Sequence, residues 1–173
     1  MRHNENFVIY CILIGFFILS CGQKATEEQL RAQAQLFEKN EKYEDALKAY
    51  EQQLEKYPKG KFADEALQKL AFLYYNNLND FSKAIELHQR LIKDFPESKF
   101  VSQARFMVGY IYANDLKDYE HARKAYDDFL KYHSDSELAE SVKWELEHLG
   151  QDINQQLQNL FSNDKANGEV KAN

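Results

Sequence analysis

The chain has 173 residues, with 22 Lys and Arg against 28 Asp and Glu, for a formal net charge of -6. That balance, with no block of basic residues anywhere, argues against nucleic acid and against electrostatic adhesion to anionic lipid. Two cysteines, Cys11 and Cys21, and two prolines, Pro58 and Pro96, leave little scope for a disulfide scaffold and suit an all-helical fold.

The first element in chain order is an apolar run, Phe7 to Leu19, of 13 residues. At about 1.5 Å per residue it falls short of a hydrocarbon core roughly 30 Å thick, so a cleaved export segment fits it better than a permanent anchor. The run ends at Ile18-Leu19-Ser20-Cys21, which resembles a bacterial lipobox. The resemblance implies a signal peptide over 1–20, Cys21 as the lipidated first residue of the mature protein and a short tether over 21–26. An unlipidated signal peptide and a cytoplasmic chain opening on an apolar helix are the alternatives. Cys11 would leave with the signal, and a lone thiol in an oxidising compartment is a liability unless it is modified. Each buried methylene contributes about 0.8 kcal/mol and one acyl chain binds only marginally, so stable anchoring through Cys21 calls for several chains. Gly22 does not supply the aspartate associated with inner-membrane retention, which favours the periplasmic face of an outer membrane. In a host with a single membrane, the same anchor would hold the chain on the outer face of the cytoplasmic membrane.

Beyond the tether the chain copies itself every 38 residues: Tyr43, Phe81 and Tyr119, then Ala46, Ala84 and Ala122, then Phe62, Phe100 and Leu138. A period between about 20 and 50 residues signals a solenoid of stacked units. Each unit predicts two helices. In the first, Leu30, Ala34 and Phe37 mark one helix and Tyr43 to Tyr57 the next. In the second unit, Ile85, Leu87, Leu91 and Ile92 share one face of the stretch Phe81 to Phe95, which Pro96 closes. The following helix, 101–114, buries Ala104, Val108, Ile111 and Tyr112. Asp80 and Asp118 are placed to cap the second helix of their units, and Ser98 and Ser136 the first helix of the next. Ser136 opens a last helix with Leu138, Val142, Leu146 and Leu149, interrupted at Gly150. Ile153, Leu157, Leu160 and Phe161 offer a further apolar stripe to cover the solenoid end, and 162–173 is polar and expected to be disordered.

Val108-Gly109-x-x-Tyr112, with Ala122, Tyr126 and Phe129 after it, resembles the tetratricopeptide repeat (TPR), as does Leu70-Ala71-x-x-Tyr74 with Ala84, His88, Leu91 and Pro96. The usual unit has about 34 residues. Here one more residue before the second helix and three after the proline lengthen it. Connections of the type Pro96-Glu97-Ser98-Lys99-Phe100 resemble those of the periplasmic TPR proteins of the outer-membrane assembly lipoprotein (BamD) family and of the Tol-Pal coordinator (CpoB, or YbgF). The resemblance implies an all-α, right-handed TPR-like solenoid over 27–161 with about three repeats and a terminal capping helix. It also implies small residues at Ala71, Gly109, Ala84 and Ala122 that let paired helices approach.

The resemblance places a concave groove on the first helix of each pair. Its positions fall on Phe37 in the first unit, Gln68, Phe72, Tyr75 and Asn76 in the second, Phe106, Tyr110 and Asn114 in the third, and Trp144 in the last helix. Phe72, Tyr75, Phe106, Tyr110 and Trp144 would form an aromatic ladder, since aromatic rings bury large area at low entropic cost and often anchor partners. Packing of those rings on neighbouring helices is the alternative. Asn76 and Asn114 could hold a peptide backbone, or serve as ordinary helix-end amides.

Nothing in the pattern supports catalysis, a cofactor or a small-molecule substrate. His121, His133 and His148 lack zinc spacing, His88 reads as a partly buried, hydrogen-bonded filler, and the carboxylates sit beside Lys and Arg on helix surfaces. The reading is a non-catalytic, lipid-anchored scaffold that binds an envelope protein or peptide, with an outer-membrane assembly component as a candidate partner. A purely structural oligomerisation module and a Tol-Pal or peptidoglycan-associated coordinator are the alternatives.

Overall fold

The computed structural model describes residues 25–151. The proposed signal peptide, Cys21, the apolar stripe from Ile153 to Phe161 and the polar tail lie outside the described residues. Within them, seven helices follow one another: α1 (Glu27–Lys39), α2 (Tyr43–Lys56), α3 (Ala63–Asn76), α4 (Phe81–Asp94), α5 (Val101–Tyr110), α6 (Tyr119–Tyr132) and α7 (Ala139–Glu147). A π-helical turn, Ile111–Asp115, extends α5. Each helix packs on its neighbours in sequence, as a TPR-like solenoid requires, and no strand occurs among the described residues.

The turn inside each pair is built the same way three times. Glu41, Asn79 and Lys117, one repeat apart, adopt φ of 58°, 52° and 54°. The left-handed residue reverses the chain, and the next side chain then starts the second helix. Asp80 accepts from the Lys83 backbone N–H at 2.9 Å and Asp118 from that of His121 at 3.2 Å, both as expected. Lys42 holds that place in the first pair and offers no side-chain cap. Thr26 and Gln29 close α1 with a reciprocal capping box.

The connections between pairs differ from the expectation. Ser98 and Ser136 do not cap α5 and α7; each hydroxyl accepts instead from a backbone N–H two residues on, at Phe100 and Leu138. Their second bonds run between repeats, Ser98 to the Asp64 carboxylate at 2.6 Å and Ser136 to Ser102 at 2.9 Å. Gly60 is the counterpart in the first connection. A Cβ there would collide with the buried Glu27 carboxylate, which accepts from the N–H groups of Lys61 at 2.9 Å and Phe62 at 2.8 Å. The small residue after each Pro or Ser thus stitches consecutive units together rather than starting a helix.

The core runs along the whole stack, from Ala34, Tyr50 and Leu70 through Ile85, Val108 and Ile111 to Tyr126, Phe129 and Val142. Gly109 performs as expected: a Cβ would sit against the Tyr126 ring. Tyr50, His88 and Tyr126 occupy equivalent places and are all buried. His88 is fully buried, and its Nδ1 meets no hydrogen-bond partner, contrary to the partly buried, hydrogen-bonded filler expected. Burial pulls its pKa down to about 4.

Candidate functional site

The first helices of the pairs, α1, α3, α5 and α7, carry the expected groove positions, and the structure treats the two ends of that face differently. Between α1 and α3 the face is closed by polar pairs. Arg31 forks onto Glu65 with Nε and Nη2 bonds of 3.0 Å each, Gln35 adds a bond of 2.9 Å to the same carboxylate, and Lys69 donates to Glu38 at 3.1 Å. The Arg31 guanidinium also lies 4.3 Å over the Phe62 ring. Glu38 receives the Tyr50 hydroxyl as well, and burial followed by that carboxylate pushes the phenol far above its usual range.

The other end is open. Tyr110, Ala113 and Asn114 from the end of α5, Trp144 and His148 from α7, and the loop at Gly150 surround a hollow of about 250 Å³. Trp144 is 47 % exposed and stacks on the His148 ring at 4.4 Å, with His148 Nδ1 2.8 Å from the Trp144 carbonyl. Gly150, at φ of 78°, turns the chain against Tyr119, which lines the same hollow. Phe106 lies 5.9 Å from Tyr110 and 6.3 Å from the buried Tyr126, so it joins the wall to the core.

Of the expected residues, Tyr110, Asn114 and Trp144 come together here, with Phe106 behind them. Tyr75 sits beside them on α3. It packs on Phe81 at 5.7 Å, and burial, then Asp115 and Tyr110, push its pKa up to about 12. Phe72 is 54 % exposed and belongs to no core cluster among the described residues. Gln68 is half-buried, its Oε1 shielded from solvent without a donor. Asn76 and Asn114 bond back to the carbonyls of Phe72 and Tyr110 at 3.0 and 3.3 Å, the helix-end arrangement that was the alternative for each. Phe37 stands apart: it packs on the N-terminal core and faces Asp45, Lys48 and Gln52 of α2. Lys117, Tyr119 and Gly150 were not anticipated in the hollow, because they come from turns and from the start of α6, whose positions follow from how α5, α6 and α7 meet.

The outer membrane lipoprotein family YfiO matches residues 23–149. The chain belongs to that family. The match spans the described helices through α7 and agrees with the BamD-like resemblance of the repeats. No individual curated relative matches the chain. Membership makes the protein an outer membrane lipoprotein, and no helix among the described residues is long and apolar enough to cross a bilayer. Nor do three His, Cys, Asp or Glu side chains gather into a metal-binding group among those residues.

Proposed function

We propose that this family member is a non-catalytic scaffold in outer-membrane protein assembly, and that it docks a segment of an envelope partner in the hollow between α5 and α7. Family membership supports the setting. The observation that carries the docking site is Trp144, a large aromatic residue 47 % exposed beside Tyr110 and a concave surface. Exposed rings of this kind, rimmed by polar groups, are the side chains that dominate binding energy when a partner desolvates them. The tether favours a partner at the membrane: only five residues lie between Cys21 and α1, which starts at Glu27. Acylation of Cys21 would therefore hold the solenoid within about 20 Å of the bilayer surface. Phe72→Ala, Tyr110→Ala and Trp144→Ala together should abolish site-specific crosslinking to the partner in intact cells while leaving the circular-dichroism melt of the protein in place. A collapsed melt would assign the rings to the fold, and unchanged crosslinking would place the partner elsewhere. Replacing Cys21 with Ser should release the protein from the membrane fraction.

A further inference from the structure

The second helices of neighbouring pairs also form grooves, which share no lining residue with the hollow, and two of these are repeat equivalents. The first lies between α2 and α4, about 340 Å³, and the second between α4 and α6, about 250 Å³. Most of their lining residues correspond at the 38-residue interval, among them Glu51 with Gln89, Tyr74 with Tyr112, Lys83 with His121 and Leu87 with Ala125.

The charged groups of the first groove, Glu55 apart, are engaged within the chain. Tyr74 donates to Glu51 at 2.8 Å, Lys83 pairs with Glu86 at 2.9 Å, and Arg90 lies 3.6 Å from Asp94. In the second groove each of these arrangements is gone. Gln89 replaces the carboxylate that received the tyrosine, Lys124 replaces Glu86, and Arg105 stands where the first unit has Leu67. Neither Arg105 nor Lys124 pairs with a carboxylate among the described residues. Arg105 is half-buried, 4.7 Å over the Tyr132 ring, and its Nε is shielded from solvent with no acceptor. Asp128 also lines the groove without forming an ion pair, and His121 is held by Asp118 at 2.7 Å. The floor is apolar: Ile92, Val108 and the small Ala125. Two unpaired cations beside an apolar floor, on a chain of net charge -6, call for an anionic and apolar occupant.

We propose that the groove between α4 and α6 docks an acidic, apolar peptide segment of a partner protein, with an aliphatic side chain over Ala125 and carboxylates facing Arg105 and Lys124. The site is separate from the aromatic hollow, and the two can be lost independently.

The test uses the full-length protein purified from membranes in detergent and two short fluorescent amphipathic peptides, one with leucine anchors flanked by glutamates and a twin with glutamine at each glutamate. The glutamate peptide should bind roughly tenfold tighter than its twin, since each charge-assisted bond lost is worth about a factor of ten. Lys124→Glu and Ala125→Leu install the residues of the preceding repeat, so both should fold, and each should weaken the glutamate peptide by a similar factor. Trp144→Ala should leave this binding unchanged. Equal binding of the two peptides, no binding of either, or indifference to Lys124→Glu and Ala125→Leu would overturn the proposal. Loss of binding in Trp144→Ala would move the peptide to the hollow. A dimer that Ala125→Leu dissociates would give the groove to a second copy, and binding gained only on removing 152–173 would give it to this chain's own C-terminal segment; either result also overturns the proposal.

Discussion

The two ends of the concave face use the same helix positions for opposite ends. Between α1 and α3, Arg31, Gln35, Glu38, Glu65 and Lys69 satisfy one another, so the surface is polar and self-contained. Between α5 and α7, Tyr110 and Trp144 face a hollow in which no ion pair among the described residues holds the walls together. A solenoid stabilised only by contacts between neighbours can spend one end on its own cohesion and leave the other for a partner, because each end changes without disturbing the other.

The largest effect is expected where the open end meets the core. Gly109→Val would drive a branched side chain into the fully buried Tyr126 ring, and an overpacked site of this kind costs about 3 kcal/mol, readable as a drop in the denaturant midpoint. Survival of that variant at wild-type stability would mean that α5 and α6 are less tightly apposed than α3 and α4.

The acid-sensitive element lies between the two ends, on α4. His88 has a folded pKa of about 4 against about 6.5 unfolded, so the unfolded chain binds the proton more readily. Its contribution is complete above pH 6.5 and falls away as the pH drops towards 4, by about 3 kcal/mol in all. Urea titrations between pH 7 and 4 should show this slope, and His88→Leu should flatten it. An unchanged slope in that variant would locate the titrating group elsewhere.

Smaller changes separate cohesion from capture. Arg31→Gln breaks a partly exposed pair and should cost about 0.2–1 kcal/mol, less at high salt, with no effect on partner crosslinking. Trp144→Ala should do the reverse, moving stability by no more than about 0.5 kcal/mol while weakening capture. Lys117→Gly, at φ of 54°, should raise stability by up to about 1 kcal/mol through relief of the left-handed backbone, unless the flexibility gained by the unfolded chain cancels it.

Much of this architecture was legible from the sequence, and particular residues show why. Asp80 and Asp118 cap helices because a carboxylate at that place meets an N–H three residues on, a purely local relation. Gly109 was legible, through the TPR resemblance, as a small residue that lets paired helices approach, and the structure supplies Tyr126 as the ring that it admits. Ser98 misled for the opposite reason. Its sequence position suits a cap, but Asp64, 34 residues away, competes for the hydroxyl and turns it towards the neighbouring unit. His88 misled because the sequence shows its place in the repeat but not that its Nδ1 would find no donor or acceptor there.

By itself, then, the sequence determined the helices, their pairing, the 38-residue unit and the lipobox-like Cys21, since these depend on periodicity and short-range chemistry. Tertiary structure alone decided that Arg31 meets Glu65 while Arg105 and Lys124 pair with no carboxylate among the described residues, and that Tyr110 and Trp144 share one hollow. Those outcomes depend on the register between rigid helices. The Arg31 pair spans 34 residues in a chain that repeats every 38, so the repeat spacing does not supply the cross-helix partner.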